Sequence, residues 1–369
     1  MKLAFVYDRI NKFGGAERIL TAFHQAYPEA PFYTAVFKPQ SVPWAKTFSI
    51  TTSFLNRWPL AKTYHELYPW LTPLAFESFN FNQYDVVISI TSAEAKAIIT
   101  PPSALHLCYC LTPTRYLWSH SADYQQNPGL GKFNPAGKFI FKLLKPKLQQ
   151  IDLINSVRPD AYIAISKTVQ ARIKKYYHRN SLVIYPPVAT DKFSYQTPHD
   201  YFLLVSRLVP YKQVDLVIKT FNRLKLNLII VGTGREETRL KKMAKANIKF
   251  AGQVSESELI IYYQNCLALI MPQEEDFGLV SLEAQAAGKP VIAYRAGGAV
   301  ETIVEFKTGL FFNQPTVDSL AGCVKQFNSR SWDHKLIRSQ AEKFSSSKFI
   351  AKFKNYLEAQ WQQHQEKFR

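Results

Sequence analysis

The second half of the chain has a rhythm that restricts its fold more than any single residue does. Short apolar runs, YFLLVSR, LNLIIVGTG, IKFAGQV, CLALIMP, PVIAYRAGG and TGLFF, alternate with segments that read as helices. Helices are expected from about Val214, in the basic segment after Gly234, from about Glu256 and over 279–287. Strands this short and continuously apolar, separated by helices, imply a parallel sheet covered on both faces. In such sheets ligands sit beyond the carboxyl ends of the strands.

The first half opens the same way. LAFVYD (3–8) is followed by a glycine pair and then by AERILTAFHQAY, the order strand, tight loop, helix. YDVVISI, LHLCYC, DAYIAIS and SLVIYPPV read as further strands, and the aromatic, proline-rich stretch from Phe32 to Phe81 as irregular connections and short helices. The Pro186–Pro187 pair cannot continue a central ladder, so the first domain is expected to close there. At 369 residues the chain is long enough for two cores, and two α/β domains facing each other would form an interdomain cleft for a ligand.

Several function classes lose support. The four cysteines (108, 110, 266 and 323) have no C-x-x-C spacing, which fits a reducing compartment rather than a disulfide or zinc framework. None of the eight histidines falls in an H-E-x-x-H pattern, and His24, His65 and His106 are expected to pack or face solvent; no metal site is expected. There is no G-x-S-x-G elbow for a serine nucleophile. No run approaches the length of a membrane span, and the start of the chain lacks a signal-peptide core.

The net charge of +18 is spread as +11 over residues 1–190 (21 basic, 10 acidic) and +7 over 191–369 (25 basic, 18 acidic). That excess fits lipid headgroups and phosphorylated substrates, or simple solubility; no nucleic-acid motif accompanies it. The basic segment 132–154, with Lys138, Lys142, Lys145 and Lys147 interleaved with Phe139, Ile140, Leu143 and Leu144, reads in two ways. It is an interfacial helix meeting an anionic membrane, or a helix packed on its own sheet with a solvated basic face, shortened in either case by Pro146.

Four loops could carry chemistry. Gly14 and Gly15 precede a helix whose free amides could cradle a phosphate, or simply make a turn. Arg207 and Lys212 follow an apolar strand, where two cations could neutralise a departing diphosphate. In EEDFGLVSLEAQAAGKPVIA (274–293), Glu275 and Glu283 could bind sugar and ribose hydroxyls and the amides around Phe277, Gly278 and Leu279 could meet sugar oxygens or phosphate. Equally, Glu275 could cap the helix and Glu283 make a packing contact. AYRAGGAVETI (293–303) adds a glycine pair, either a second approach to the ligand or a tight connection. Near TPTRYLW, His120 is a candidate to face the ligand.

Taken in order, GGAER (14–18), CYCLTPTRYLWS (108–119), RPDAYIAIS (158–166), SRLVPYK (206–212), VGTG (231–234), EDFGLVSLE (275–283) and AGKPVIA (287–293) resemble the retaining glycosyltransferases of family 4. The RYLW and 132–154 regions further resemble bacterial mannosyltransferases of O-antigen and exopolysaccharide assembly. The resemblance implies the GT-B fold: two Rossmann-like αβα domains, 1–189 for the acceptor and 190–344 for the nucleotide sugar, with a C-terminal helix from about 345 to 369 returning to the first. It implies that Gly14 and Gly15 face phosphate, with Gly232 also on the donor side. Arg207 and Lys212 would hold the diphosphate, Glu275 the donor sugar, Glu283 the ribose, and Phe277, Gly278 and Leu279 would offer their backbone.

Leu111, Tyr116 and His120 would lie on the acceptor or sugar side. The same resemblance implies transfer with retention and without a metal or other cofactor, the acceptor's proton passing to a phosphate oxygen. GDP-mannose is the expected donor and a polyprenyl-diphosphate-linked or other glycan the acceptor, at the cytoplasmic face of the inner membrane. Where many relatives have a histidine before the Thr-Pro, this chain has Leu111, which cannot hydrogen-bond a sugar hydroxyl and would tolerate the methyl of a 6-deoxyhexose such as rhamnose or fucose. The competing readings are a nucleotide-sugar epimerase or a glycogen/sucrose-type transferase on the same fold, and a non-enzymatic module binding anionic lipid or nucleic acid.

Overall fold

The computed structural model describes residues 1–12, 14–59, 61–62, 68–119, 121 and 134–367, with the backbone alone at 134–137 and 140. The chain divides into two compact units, Met1–Tyr185 with Ile350–Arg369, and Pro186–Phe349.

The first unit is built on a seven-stranded sheet: β1 (Leu3–Tyr7), β2 (Phe32–Thr34), β3 (Ile50–Thr52), β4 (Val86–Thr91), β5 (Leu105–Cys110), β6 (Ala161–Ala164) and β7 (Ser181–Val183). Their order is β3-β2-β1-β4-β5-β6-β7, every pairing parallel. β1, β4 and β5 are buried at every residue, which is why each reads as a continuous apolar run rather than an alternation. The second unit repeats the plan with six strands, β8 (Phe202–Val205), β9 (Leu228–Val231), β10 (Ile248–Gly252), β11 (Leu269–Met271), β12 (Val291–Tyr294) and β13 (Gly309–Phe312), in the order β10-β9-β8-β11-β12-β13. Its core joins Phe202, Leu204 and Ile230 of the strands to Val217, Phe221 and Val324 of the covering helices 214–224 and 317–328.

In both sheets the chain starts centrally, runs outward to one edge, then returns to the other side of its first strand. The order therefore reverses between β1 and β4 and again between β8 and β11, and at such reversals the connections diverge to opposite faces and open a crevice at the carboxyl end. The last helix, Ser346–Glu366, begins in the second unit and continues into the first. There Phe353 packs edge-on against Phe23 with centroids 4.7 Å apart, and His364 Nε2 lies 3.1 Å from the Pro102 carbonyl. Two parallel-sheet αβα domains with such a helix are the expected GT-B architecture.

Two local expectations fail. The stretch 32–81 holds short helices, but also β2 and β3; at three residues each, neither is long enough to display a period. Pro146 does not shorten its helix, which runs unbroken from Asn134 to Ser156. Pro146 and Lys142, whose carbonyl loses its partner, are both exposed, so water can take the missing bond.

Candidate functional site

The loops after β8 and β11 meet at the switch point of the second sheet. After β8, Arg207 is exposed and its Nη2 donates to Tyr211 Oη at 2.7 Å. A single 3₁₀ turn, Pro210–Lys212, follows, and Gln213 in the left-handed region (φ 50°) turns the chain into helix 214–224. This turn buries Lys212, whose ammonium pairs with Glu275 Oε1 across the reversal, both side chains nearly buried. Gln273 Nε2 donates to the same oxygen at 2.6 Å. Arg207, Lys212 and Glu275, scattered over 69 positions of sequence, thus belong to adjoining loops at one sheet edge. Sequence reasoning missed Gln273, which carries no motif signal.

The glycines beside this cluster are explained by backbone packing. A Cβ on Gly232 would lie 2.0 Å from the Ser206 carbonyl oxygen, because the loops after β8 and β9 continue to pair beyond their strands. The pair at 297–298 clasps the glutamate loop: Gly298 N donates to the Glu275 carbonyl at 2.8 Å, and a Cβ on Gly298 would lie 2.3 Å from Phe277 Cα. Phe277 is buried against Phe344. Gly278 caps helix Leu279–Ala286 with no side-chain bond, leaving Leu279 at the start of a helix that follows directly on the acidic segment 274–276. Glu283 is buried one turn further along, not on an exposed ridge.

In the first unit, Gly14 caps helix Gly15–Ala26, again without a side-chain bond. Glu17 in its first turn is buried and accepts from Tyr7 Oη at 2.8 Å. Asp8, at the end of β1, accepts from Thr91 Oγ1 and from the amides of Ser92 and Ala95 across the first switch point. Beside it, Glu94 pairs with Arg9 Nη2 at 2.7 Å and accepts from Tyr116 Oη at 2.6 Å. Burial pushes the Glu94 carboxyl above its usual range, partly offset by Arg9. Tyr116 is thus anchored to a carboxylate the sequence did not single out. Leu111 is buried just past β5, its amide bonded to the Thr91 carbonyl. His120 and Lys132 lie outside the described residues.

Helix 134–156 buries one face and exposes the other. At about 100° per residue, Leu148, Asp152 and Asn155 share its buried face. Roughly opposite, Phe139 (68% exposed), Leu143 (63%) and Ile154 (61%) form an apolar stripe, with Lys142 and Lys147 exposed on its two flanks. Lys138 is exposed as well, whereas Lys145 donates to Ser121 Oγ at 3.0 Å. Among the described residues no helix is long and apolar enough to cross a membrane, and no group of three or more His, Cys, Asp or Glu is placed to hold a metal ion.

Residues 189–344 match the family model described as glycosyl transferases group 1. An uncharacterized glycosyltransferase of Methanocaldococcus jannaschii is 25% identical over 191 residues, covering 50% of this chain and 54% of that protein. The GDP-mannose-dependent monoacylated alpha-(1-6)-phosphatidylinositol monomannoside mannosyltransferase of Corynebacterium glutamicum is 37% identical over 132 residues, 31% of this chain and 34% of that protein. The chain therefore spans about half, or a third, of the curated relatives it matches. Among solved structures, Anabaena HepE in complex with UDP superposes with a TM-score of 0.72 over 97% of this chain and 100% of that one, at 17% identity. The chain is a GT-B-fold protein related to the group 1 glycosyl transferases, a relationship carried in sequence by its second domain.

Proposed function

We propose that the chain is a nucleotide-sugar-dependent glycosyltransferase acting on a glycan acceptor in cell-surface polysaccharide synthesis. The observation that carries this reading is the Lys212, Glu275 and Gln273 cluster, with Arg207 on the same loop as Lys212, at the switch point of the domain that matches the family model. Breaking a sugar–phosphate bond builds charge on the departing diphosphate, and preorganised cations stabilise that charge more in the transition state than in the ground state. Lys212 supplies one such cation from a nearly buried position, where little water screens it, and exposed Arg207 a second. The Glu275 carboxylate beside them accepts hydrogen bonds from hydroxyls of the donor sugar and so orients its anomeric carbon. Gly14 and Gly15, with the first amides of their helix, contribute further contacts to phosphate, and Glu283 serves the ribose.

Within this reading the first donor to consider is GDP-mannose, the donor named for the Corynebacterium relative, and the acceptor a polyprenyl-diphosphate-linked or other glycan. Transfer proceeds with retention, a phosphate oxygen taking the acceptor's proton, and needs no metal. Leu111 supports a second donor class, a 6-deoxyhexose: it is a buried apolar side chain with no donor to offer a C6 hydroxyl. The stripe of Phe139, Leu143 and Ile154 with its flanking lysines supports peripheral attachment to an anionic membrane, where rings and aliphatic chains enter the interface and ammonium groups meet phosphate.

Calorimetric titration with GDP-mannose and with nucleotide-activated 6-deoxyhexoses, followed by transfer assays in EDTA, tests the reading. Selective binding of GDP-mannose supports mannosyl transfer, and selective binding of a 6-deoxy donor supports the Leu111 alternative. Glu275→Ala should keep the fold and lose most turnover; undiminished transfer would remove Glu275 from the mechanism.

A further inference from the structure

We propose that Gln273 is a positioning residue for sugar transfer, holding the Glu275 carboxylate by one oxygen so that the other is presented to the donor sugar. This deepens the glycosyltransferase reading and rests on it. Gln273 follows β11 and is 2% exposed. Its Nε2 donates to Glu275 Oε1 at 2.6 Å, the oxygen that also pairs with Lys212, while Oε2 receives no bond from a described residue. The carboxylate is therefore held asymmetrically, one oxygen doubly engaged and the other available.

The amide cannot be turned the other way. Flipping it would set the amide oxygen against the carboxylate, two acceptors facing with no proton between them. The orientation that serves Glu275 leaves Gln273 Oε1 buried without a partner among the described residues. A buried acceptor with no donor weakens a fold, and an apolar side chain of the same volume would avoid the loss. Glutamine at this position is thus a poor choice for packing and a good one for fixing a carboxylate.

Lys212 alone could not keep Glu275 in place through the reaction. The donor's diphosphate competes for the ammonium, and as Lys212 turns toward it the carboxylate would be released. A neutral amide is far less drawn to the phosphates and keeps its hold on Oε1. Gln273 therefore separates two tasks that the ion pair would otherwise couple, binding the leaving group and orienting the sugar.

The test compares wild type, Gln273→Met, Glu275→Ala and the double variant in steady-state transfer from the nucleotide sugar, with inhibition by the free nucleoside diphosphate and thermal unfolding measured alongside. Gln273→Met should lower kcat/KM about tenfold or more, leave nucleoside diphosphate inhibition unchanged, and unfold at the same temperature as wild type or higher. In the Glu275→Ala background the same change should be nearly silent, because Gln273 acts through that carboxylate. Wild-type kcat/KM in Gln273→Met, a loss that multiplies in the double variant, or a lowered unfolding temperature would each overturn the inference while leaving the transferase reading intact. A wild-type protein that transfers no sugar from any nucleotide donor would instead overturn that reading, and this inference with it.

Discussion

Replacing Asp152 by asparagine should cost the first domain about 3–5 kcal/mol, although the side chain changes by a single atom. Asp152 (5% exposed) accepts from Lys96 Nζ at 2.6 Å, Thr114 Oγ1 at 2.8 Å, Trp118 Nε1 at 2.7 Å and Tyr177 Oη at 2.9 Å. Lys96 is 1% exposed, so removing its counter-charge leaves an ammonium whose remaining described neighbours, the Ala93 carbonyl, the Thr114 hydroxyl and the Tyr177 ring, carry no opposite charge. Asparagine also turns one acceptor oxygen into an NH2 that must face a donor, which takes the loss to the upper end of that range. Adding Lys96→Met should recover much of the loss, because it removes the stranded charge while the remaining amide oxygen still serves part of the neutral set. Burial by itself would lower the Lys96 pKa, but the charge and hydrogen bond of Asp152 override it and hold the group above 10.5. A raised lysine contributes its full stability below the unfolded value of 10.5 and loses it only as pH climbs toward the folded value, so the pair is at full strength at neutral pH. Urea unfolding at neutral pH, followed by tryptophan fluorescence, reads both variants. A single-variant loss under about 1 kcal/mol, or a further loss on adding Lys96→Met, would show that the pair does not hold this domain together.

Two further changes separate architecture from chemistry. Gly298→Ala places a methyl 2.3 Å from Phe277 Cα and must push the Glu275 loop aside; with a misplacement near 1 Å, transfer should fall on the order of 100-fold while circular dichroism shows an intact fold. Near-wild-type transfer would mean that the loop yields elsewhere. His106 is buried, with Ser89 Oγ 2.8 Å from its Nε2, and burial together with Arg158 and Arg179 lowers its pKa from 6.5 to about 3. The unfolded chain therefore takes up a proton below pH 6.5 that the folded one refuses until about pH 3, so stability should decline across that window, and His106→Gln should flatten the decline in acid unfolding curves.

The fold was legible because both sheets are buried on two faces, and burial writes itself as apolar runs such as VVISIT and LLV whatever the ligand. Strands β2 and β3 were not, since three residues apiece in an aromatic stretch leave no period to count. The loops carrying Arg207, Lys212 and Glu275 could be found by their place after strands and by family resemblance. Gln273 could not, for its role depends on which way one buried amide points. The Glu94–Arg9–Tyr116 set and the Lys96–Asp152 pair escaped for another reason: their members are 85, 22 and 56 positions apart, the first set brought together by the parallel register of β1, β4 and β5 and the pair by helix 134–156 packing on the turn that carries Lys96.

The glycines show what a motif in such a chain is selected to do. Gly232, Gly297 and Gly298 look from sequence like approaches to a ligand, yet each is already required by the carbonyl or Cα of a neighbouring loop. These contacts tie the loop after β8 to the loop after β9, and the Glu275 loop to the loop after β12. A site that stabilises a departing charge works through groups that need not move when the charge appears. Backbone packed so closely that no Cβ fits supplies that rigidity, with Lys212, Gln273 and Glu275 set at its edge. Gly14 differs: it adopts an extended conformation, and among the described residues a Cβ there would meet only the Glu17 carboxylate, at 3.2 Å. No described neighbouring backbone forbids a side chain at Gly14, so among these glycines it is the one that close backbone packing does not account for.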